Sequence, residues 1–235
     1  MLAGCFASKE EKMRHRALPF YNEALDNFLN GQLSSARDKV LLAIDKYPAF
    51  VEAHILYQRI RAKNGETKKL LKEYRNLMKE NPNEPIYIYL YARLIDDLDE
   101  QERLYQKIID IAPDCSWGYF GLGWVYYKEQ RFNDAIDHFE QAIKLDPYNP
   151  LFHLNLGATY FLTKQNYDAE QELKKATELS PKMVTGWLDL AAIYYQRAQF
   201  DKAVQCLRKY LNIYPAAPER KKVKKLLLQL NGGRT

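Results

Sequence analysis

The chain has 235 residues, of which 47% are hydrophobic and 28% charged, with ten Gly, ten Pro and a net charge of +5. This balance excludes a disordered chain, and so few Gly and Pro disfavour the many tight turns of an all-β fold. The positive excess is too small for a dedicated nucleic-acid-binding protein, and no apolar run of about 18 residues predicts a membrane-spanning helix.

The N-terminal segment contains a short motif of its own. Residues 2–5 read Leu-Ala-Gly-Cys and resemble a bacterial lipobox, which implies lipidation of Cys5 and, with Phe6 after it, sorting towards an outer membrane. The basic and apolar segments that normally precede a lipobox do not stand before it here, so an accidental match is the alternative. On the first interpretation, residues 1–16 are a polar tail that tethers a periplasm-facing protein to the cell envelope.

Six prolines recur at a nearly constant spacing, each after an apolar helical segment. They are separated by 34, 31, 34, 34 and 34 residues: Pro48, Pro82, Pro113, Pro147, Pro181 and Pro215. Proline cannot continue a helix and disfavours helix in the residue before it, so each marks the end of one helix. The spacing predicts six helix–turn–helix repeats: residues 17–50, 51–84, 85–115, 116–149, 150–183 and 184–217.

The first three repeats keep this pattern only in part. Gly31 lies in register in repeat one, and Gly65 stands at the turn between the two helices of repeat two. Repeat three is three residues shorter than its neighbours. We expect the deletion in the turn near residues 96–101, where aspartates can cap the next helix without a longer loop.

The last three repeats align without a gap over residues 116–217. Three kinds of residue recur in register. The first helices carry a small residue at Gly123, Gly157 and Ala191. The second helices carry a small residue at Ala135, Ala169 and Ala203, and a large apolar residue one turn later at Phe139, Leu173 and Leu207. Small residues let two short antiparallel helices approach, and the large ones fill the remaining space. One repeat cannot bury this stripe alone, whereas stacked neighbours bury it jointly.

This pattern resembles the tetratricopeptide repeat family. The signature W-x2-L-G-x2-Y…A-x3-F…A…P is matched in repeat four by Tyr119, Leu122, Gly123, Tyr126, Ala135, Phe139, Ala142 and Pro147, and Trp187 supplies the leading tryptophan in repeat six. The resemblance covers about 200 residues. It implies an all-α, right-handed superhelical solenoid. Residues 218–235 are then a capping helix with an apolar stripe, followed by a frayed end.

Partners of this family bind the concave face that the first helices form. The resemblance places ten groove residues there: Trp117, Phe120, Trp124, Tyr127, Asn155, Phe161, Asp189, Tyr195, and Tyr89 and Arg93 of repeat three. Exposed aromatic side chains at this density suit a peptide with apolar anchors. The alternative is that several of them pack between neighbouring helices. Asp189 stands where acidic-tail-binding relatives need a cation, which disfavours that specificity.

No residues form a recognisable catalytic motif. The chain has no Walker-type loop, dinucleotide fingerprint or HExxH, so we expect neither an enzyme nor a cofactor. Gly118 and Gly121 are predicted to thin the groove wall. His138 and His153 are interpreted as structural rather than metal-binding. Cys5, Cys115 and Cys206 lack the spacing of a metal site, and they cannot form a complete disulfide framework.

The sequence therefore predicts a non-catalytic scaffold for a protein or peptide partner, without nucleic acid. Membrane contact would come only through a lipid on Cys5. A lipoprotein of this kind is similar, by analogy of fold alone, to type IV pilus pilotins and other envelope scaffolds. The alternative is a cytoplasmic adaptor or chaperone-like module with the same groove. The identity of the partner and the oligomeric state are not encoded in any motif.

Overall fold

The computed structural model describes residues 9–232, all of whose regular secondary structure is helical. The lipobox-like segment with Cys5 lies outside these residues. The chain divides into two compact units, the first ending at Tyr91 and the second beginning at Ala92. None of the helices in this part of the chain combines the length and the apolar character needed to cross a bilayer.

The first unit is built from consecutive antiparallel helices. They are α1 (Lys9–Leu29), α2 (Leu33–Lys46), α3 (Val51–Lys63), α4 (Thr67–Glu80) and α5 (Pro85–Ala92). Helix α1 begins eight residues before the predicted start of repeat one, so residues 9–16 of the predicted polar tail are helical. No Gly or Pro interrupts them, and Glu10 and Glu11 in the first turn complement the helix dipole.

The second unit continues the same arrangement with eight helices. They are α6 (Leu98–Ile111), α7 (Ser116–Lys128), α8 (Phe132–Leu145), α9 (Pro150–Leu162), α10 (Asn166–Leu179), α11 (Val184–Gln196), α12 (Phe200–Ile213) and α13 (Arg220–Gly232). From α6 onwards each helix packs against the next, and the first helices α7, α9 and α11 also contact one another across repeats. The predicted all-α solenoid of tandem helix pairs is therefore confirmed.

Small residues permit the close approach of the two helices within a repeat. A Cβ atom added to Gly123 would lie 2.6 Å from the Phe139 ring, and one added to Gly157 would lie 2.8 Å from Cγ of Leu173. Ala135 is fully buried at the same crossing. The predicted pairing of a small residue with a bulky one is confirmed, because neither glycine position has room for a side chain.

The turns inside the repeats share one backbone conformation. A residue with positive φ follows the first helix in five of the six repeats: Gly31 (80°), Gly65 (75°), Gln130 (62°), Lys164 (63°) and Ala198 (53°). In repeat four the turn is closed by Arg131 N–H, which donates to the Tyr126 carbonyl at 2.9 Å. A left-handed residue is the usual way to end a helix, but only glycine adopts it without steric cost.

Repeat three departs from this plan. Its first helix, α5, has 8 residues, whereas α7 has 13. Residues 93–97 connect it to α6, so the deletion shortens the helix rather than the turn where we expected it. The predicted aspartate cap is confirmed at Asp97, whose carboxylate accepts a hydrogen bond from the Glu100 backbone N–H at 3.0 Å.

Tyrosine hydroxyls tie each repeat of the second unit to the one before it. The tyrosine that follows the small residue donates to a glutamate on the preceding second helix: Tyr126 to Glu102 (3.0 Å), Tyr160 to Glu140 (2.7 Å) and Tyr194 to Glu170 (3.0 Å). Burial and the neighbouring carboxylate raise the pKa of all three tyrosines, which keeps the hydroxyls protonated as donors. These bonds fix neighbouring repeats in register.

Candidate functional site

The first helices of repeats four to six line the inner side of the second unit, because α7, α9 and α11 contact one another directly. Trp124 and Tyr127 present an aromatic surface there. Their rings stack with centroids 5.5 Å apart and planes at 11°, and the Lys128 ammonium lies 5.3 Å from the Trp124 ring. Both rings are half-buried. They therefore remain available to a partner from the inner side.

Two other aromatic groove candidates on α7 belong to the packing between repeats. Phe120 is only 5% exposed, and its ring stacks on Phe152 at 4.8 Å and lies 5.5 Å from Phe139. Trp117 packs edge-on against Phe120 and Phe152, at 5.7 and 4.9 Å. Helix α9 supplies the ring that covers them. Phe120 is thus a core residue rather than a groove residue, and Trp117 is half-buried at its margin.

The two candidates from repeat three lie near the end of α5. Tyr89 is 3% exposed and lies in the first unit, so its ring has no free face for a partner. Arg93 is half-buried in the connection after α5. Burial therefore argues against Tyr89 as a groove residue, whereas Arg93 stays a prediction.

Gly118 and Gly121 were expected to thin the groove wall. Instead, they allow a neighbouring helix to pack closely against α7. A Cβ atom on Gly121 would lie 2.3 Å from the Tyr105 ring of α6, and one on Gly118 would lie 2.9 Å from Cγ1 of Ile109. Both positions are buried. The absence of a side chain lets α6 of repeat three approach α7, so the glycines serve packing.

An apolar cavity of about 550 Å³ opens between α11, α12 and α13. The predicted groove residues Phe161 and Tyr195 line it, together with Leu188, Ala192, Leu207 and Leu226. Tyr195 is 51% exposed. No sequence pattern predicted this cavity, because it depends on where α13 lies against the last repeat.

Asp189 is the acidic residue of the groove. Its side chain is half-buried in the middle of α11, and this burial raises its pKa from 3.8 to about 6. Among the residues that the structure describes, no cation pairs with its carboxylate or lowers that pKa. Burial, and then the charge of Asp189, raises the pKa of Tyr127.

Asn155 occupies the position that Asp189 holds one repeat later. Its amide donates to the Leu151 carbonyl of its own helix at 2.8 Å. This hydrogen bond fills one donor of the amide and leaves the side chain half-buried on α9. The surface thus carries an amide in repeat five and a carboxylate in repeat six.

Two family models match the second unit. The model described as "TPR repeat" covers residues 123–164, and the model described as "Tetratricopeptide repeat" covers residues 164–227. Together the two tetratricopeptide models match residues 123–227 of the chain. A segment of 51 residues is 37% identical to tetratricopeptide repeat protein 6 of Homo sapiens, which corresponds to 22% of this chain and 10% of the relative. The match therefore spans about a tenth of that protein's length.

Solved structures show the same tetratricopeptide fold. The APC/C hetero-tetramer Cut9–Hcn1 matches with a TM-score of 0.64 and 18% identity, over 94% of this chain and 46% of the other. PilF of Pseudomonas aeruginosa matches with a TM-score of 0.55 and 15% identity, over 92% and 99%. MamA matches with 0.52 and 19%, over 70% and 95%. At these identities the likeness establishes the fold alone.

The leading tryptophan position of the tetratricopeptide signature has a role that sequence reasoning missed. Trp187 donates its indole N–H to the Pro181 carbonyl at 2.9 Å. Histidines take the same position in two other repeats: His54 Nε2 lies 2.8 Å from the Pro48 carbonyl, and His153 Nε2 lies 3.0 Å from that of Pro147. The signal was present in the sequence, since each ring stands six residues after its proline.

These bonds account for the histidines of the tetratricopeptide array without a metal. His153 Nδ1 also lies 2.6 Å from the Glu172 carboxylate. Burial lowers the pKa of His153, but the bonds to Glu172 and Pro147 outweigh it and raise the pKa above 6.5. His138 Nδ1 bonds to the Asp134 carbonyl at 2.8 Å. Across residues 9–230, no group of His, Cys, Asp and Glu could hold a metal ion, and Cys115 and Cys206 are free thiols.

Proposed function

We propose that this protein is a non-catalytic scaffold that binds a partner polypeptide on the inner face of its second unit. The observation that carries the proposal is the stacked pair Trp124 and Tyr127 on the same inner face as an open apolar cavity of about 550 Å³. Large aromatic side chains left at a surface are the usual anchors of a protein interface. An apolar cavity beside them gives a partner's apolar side chain a place to lose water.

The fold supports this interpretation. Tetratricopeptide repeats are typically interaction scaffolds, and the hetero-tetramer Cut9–Hcn1 is an assembly that contains a solenoid of this kind. The stacked helix pairs offer an extended inner surface that one small domain could not. A protein or peptide therefore suits this surface better than a small-molecule substrate.

Selection of random peptides displayed on phage tests the proposal. The wild-type protein should enrich peptides that bind it, and Trp124→Ala should weaken their binding by about 2 kcal/mol or more while the melting temperature changes little. Tyr148→Ala is the matched control, because Tyr148 is an aromatic residue that is 75% exposed in the turn between α8 and α9, outside the helices. Peptides that bind Trp124→Ala as well as wild type would contradict the groove. A large drop in melting temperature would assign Trp124 to the core.

We also propose that the protein is anchored in a bacterial envelope through a lipid on Cys5. The support is the Leu-Ala-Gly-Cys segment at residues 2–5 and a fold shared with PilF of Pseudomonas aeruginosa. Protein expressed behind a complete lipoprotein signal should partition into detergent, and Cys5→Ser should remove this behaviour. Mass spectrometry that finds an unmodified Met1 in native protein would disprove the anchor and favour the cytoplasmic adaptor.

A further inference from the structure

We infer that the inner face of the second unit takes up a lysine or arginine side chain of its partner at the Asp189 carboxylate, with an apolar neighbour of that residue in the cavity beside α13. This inference rests on the proposed function and specifies the chemistry of the partner. The inferred ligands are polypeptide segments that carry a basic residue and an apolar neighbour.

The placement of Asp189 joins the two halves of this site. On α11 it directly follows Leu188 and stands one helical turn before Ala192, and both of these residues line the cavity. Residues three positions apart lie on the same side of a helix. The charge of Asp189 also contributes to the raised pKa of Tyr127, which lies on α7 two repeats earlier. A single extended segment therefore meets the carboxylate, the aromatic pair and the cavity together.

Among the described residues, no hydrogen bond or ion pair compensates the half-buried Asp189 carboxylate. A buried charge is costly unless a counter-charge or several hydrogen bonds accompany it. The nearby ammonium groups do not supply this: Lys128 lies over the Trp124 ring, and Lys222 borders the cavity. Within the residues that the structure describes, burial is the cause of the raised pKa of Asp189. A cation brought by the partner would remove this cost, whereas an acidic segment would add to it.

The aromatic pair strengthens the preference for a cation. The faces of Trp and Tyr rings attract ammonium and guanidinium groups. Trp124 already holds Lys128 at 5.3 Å in this way. The same rings would flank the hydrocarbon part of a partner's lysine or arginine as its charge reaches Asp189. The charge of Asp189 and the faces of the aromatic rings thus both favour a lysine or arginine of the partner.

Two variants test the inference through peptide selection. Asp189→Asn keeps the size of the side chain and removes its charge, and Asp137→Asn does the same at an exposed position on α8. Peptides selected from a random phage library on the wild type should be enriched in Lys and Arg and should require Trp124. Asp189→Asn should bind the best of them about tenfold more weakly or worse, and Asp137→Asn should not. Changing the peptide's basic residue to Gln should abolish the difference between wild type and Asp189→Asn.

The free protein supplies a second readout that needs no ligand. Because the half-buried Asp189 carboxylate has no partner within the described part of the chain, Asp189→Asn should raise the melting temperature at neutral pH, and Asp137→Asn should leave it unchanged. A lower melting temperature would mean that the carboxylate is a structural acceptor and would overturn the inference. Selected peptides that require Trp124 but carry no basic residue would also overturn the inference about Asp189, while the proposed binding groove would remain supported. Peptides indifferent to Trp124, or none at all, would contradict the groove itself.

Discussion

His54, His153 and Trp187 occupy one position of the repeat and bond to one kind of acceptor, the carbonyl of a proline six residues earlier. The second ring nitrogen of the two histidines meets different neighbours. His54 Nδ1 lies 2.8 Å from the Tyr74 hydroxyl, whereas His153 Nδ1 faces a carboxylate. If each Nε2–H donates to its proline, His54 accepts from Tyr74 as a neutral ring, and His153 donates to Glu172 as a cation.

The two histidines should therefore give stability opposite dependences on pH. The pKa of His153 is raised in the folded protein, so its contribution is complete below the unfolded value of about 6.5 and is lost as pH rises through the folded pKa. The pKa of His54 is lowered by burial, so its contribution is complete above about 6.5 and falls as the solution becomes more acidic.

Urea unfolding of His153→Gln and His54→Gln across about pH 5 to 8 measures this contrast. The loss of stability relative to wild type should shrink with rising pH for His153→Gln and grow for His54→Gln. Parallel curves for the two variants would show that His153 is not charged in the folded state.

The helices themselves end by a shared device, a left-handed residue after the first helix of a repeat. Glycine fills this position at Gly31 and Gly65, but repeats four to six place Gln130, Lys164 and Ala198 there. Residues with a Cβ atom are strained in this conformation by about 1 kcal/mol or more. The later repeats keep the turn because both adjoining helices are held by packing on either side.

Replacing Ala198 by glycine should stabilise the protein by about 1 kcal/mol, since the positive φ of 53° no longer meets a Cβ atom. Ala192→Gly makes the same chemical change inside α11, where it should destabilise by a similar amount. Differential scanning calorimetry of the two variants would show melting shifts of opposite sign. A shift of the same sign in both would refute the account of strain at the turn.

In the second unit as a whole, each repeat is covered by the next, and α13 covers the last one. Val223 of α13 is 7% exposed, and the Glu219 carboxylate before it accepts the Tyr210 hydroxyl of α12 at 2.9 Å. Stability in such arrays is a sum of local terms and neighbour interfaces. Loss of α13 should therefore destabilise mainly the repeat beside it.

Truncation after Ala217 should raise amide hydrogen exchange in α12 and α11 while α7 and α8 keep nearly wild-type protection. Hydrogen exchange followed by mass spectrometry of peptides from each helix measures this gradient. A uniform loss of protection through α7 would show that the second unit unfolds as one cooperative block instead.

The fold could be predicted from the sequence because the same pattern of helix-ending prolines recurs in six repeats, at a spacing of 34 residues in all but one case. The groove followed only in part. Trp124 and Phe120 share a face of α7, and spacing could not tell which of them Phe152 of the next repeat would cover. The cavity beside α13 and the shortened α5 depend on contacts between segments whose patterns are irregular, so periodicity carried no information about them.

The close approach of Tyr105 to Gly121 has a further consequence for the inner face. Because a side chain at Gly121 would collide with that ring, repeat four carries none at the position that holds Asn155 in repeat five and Asp189 in repeat six. At this position the residue therefore changes from glycine in repeat four to an amide in repeat five and a carboxylate in repeat six. A surface graded in this way has a direction, and an extended chain lying on it is distinguished from the same chain reversed.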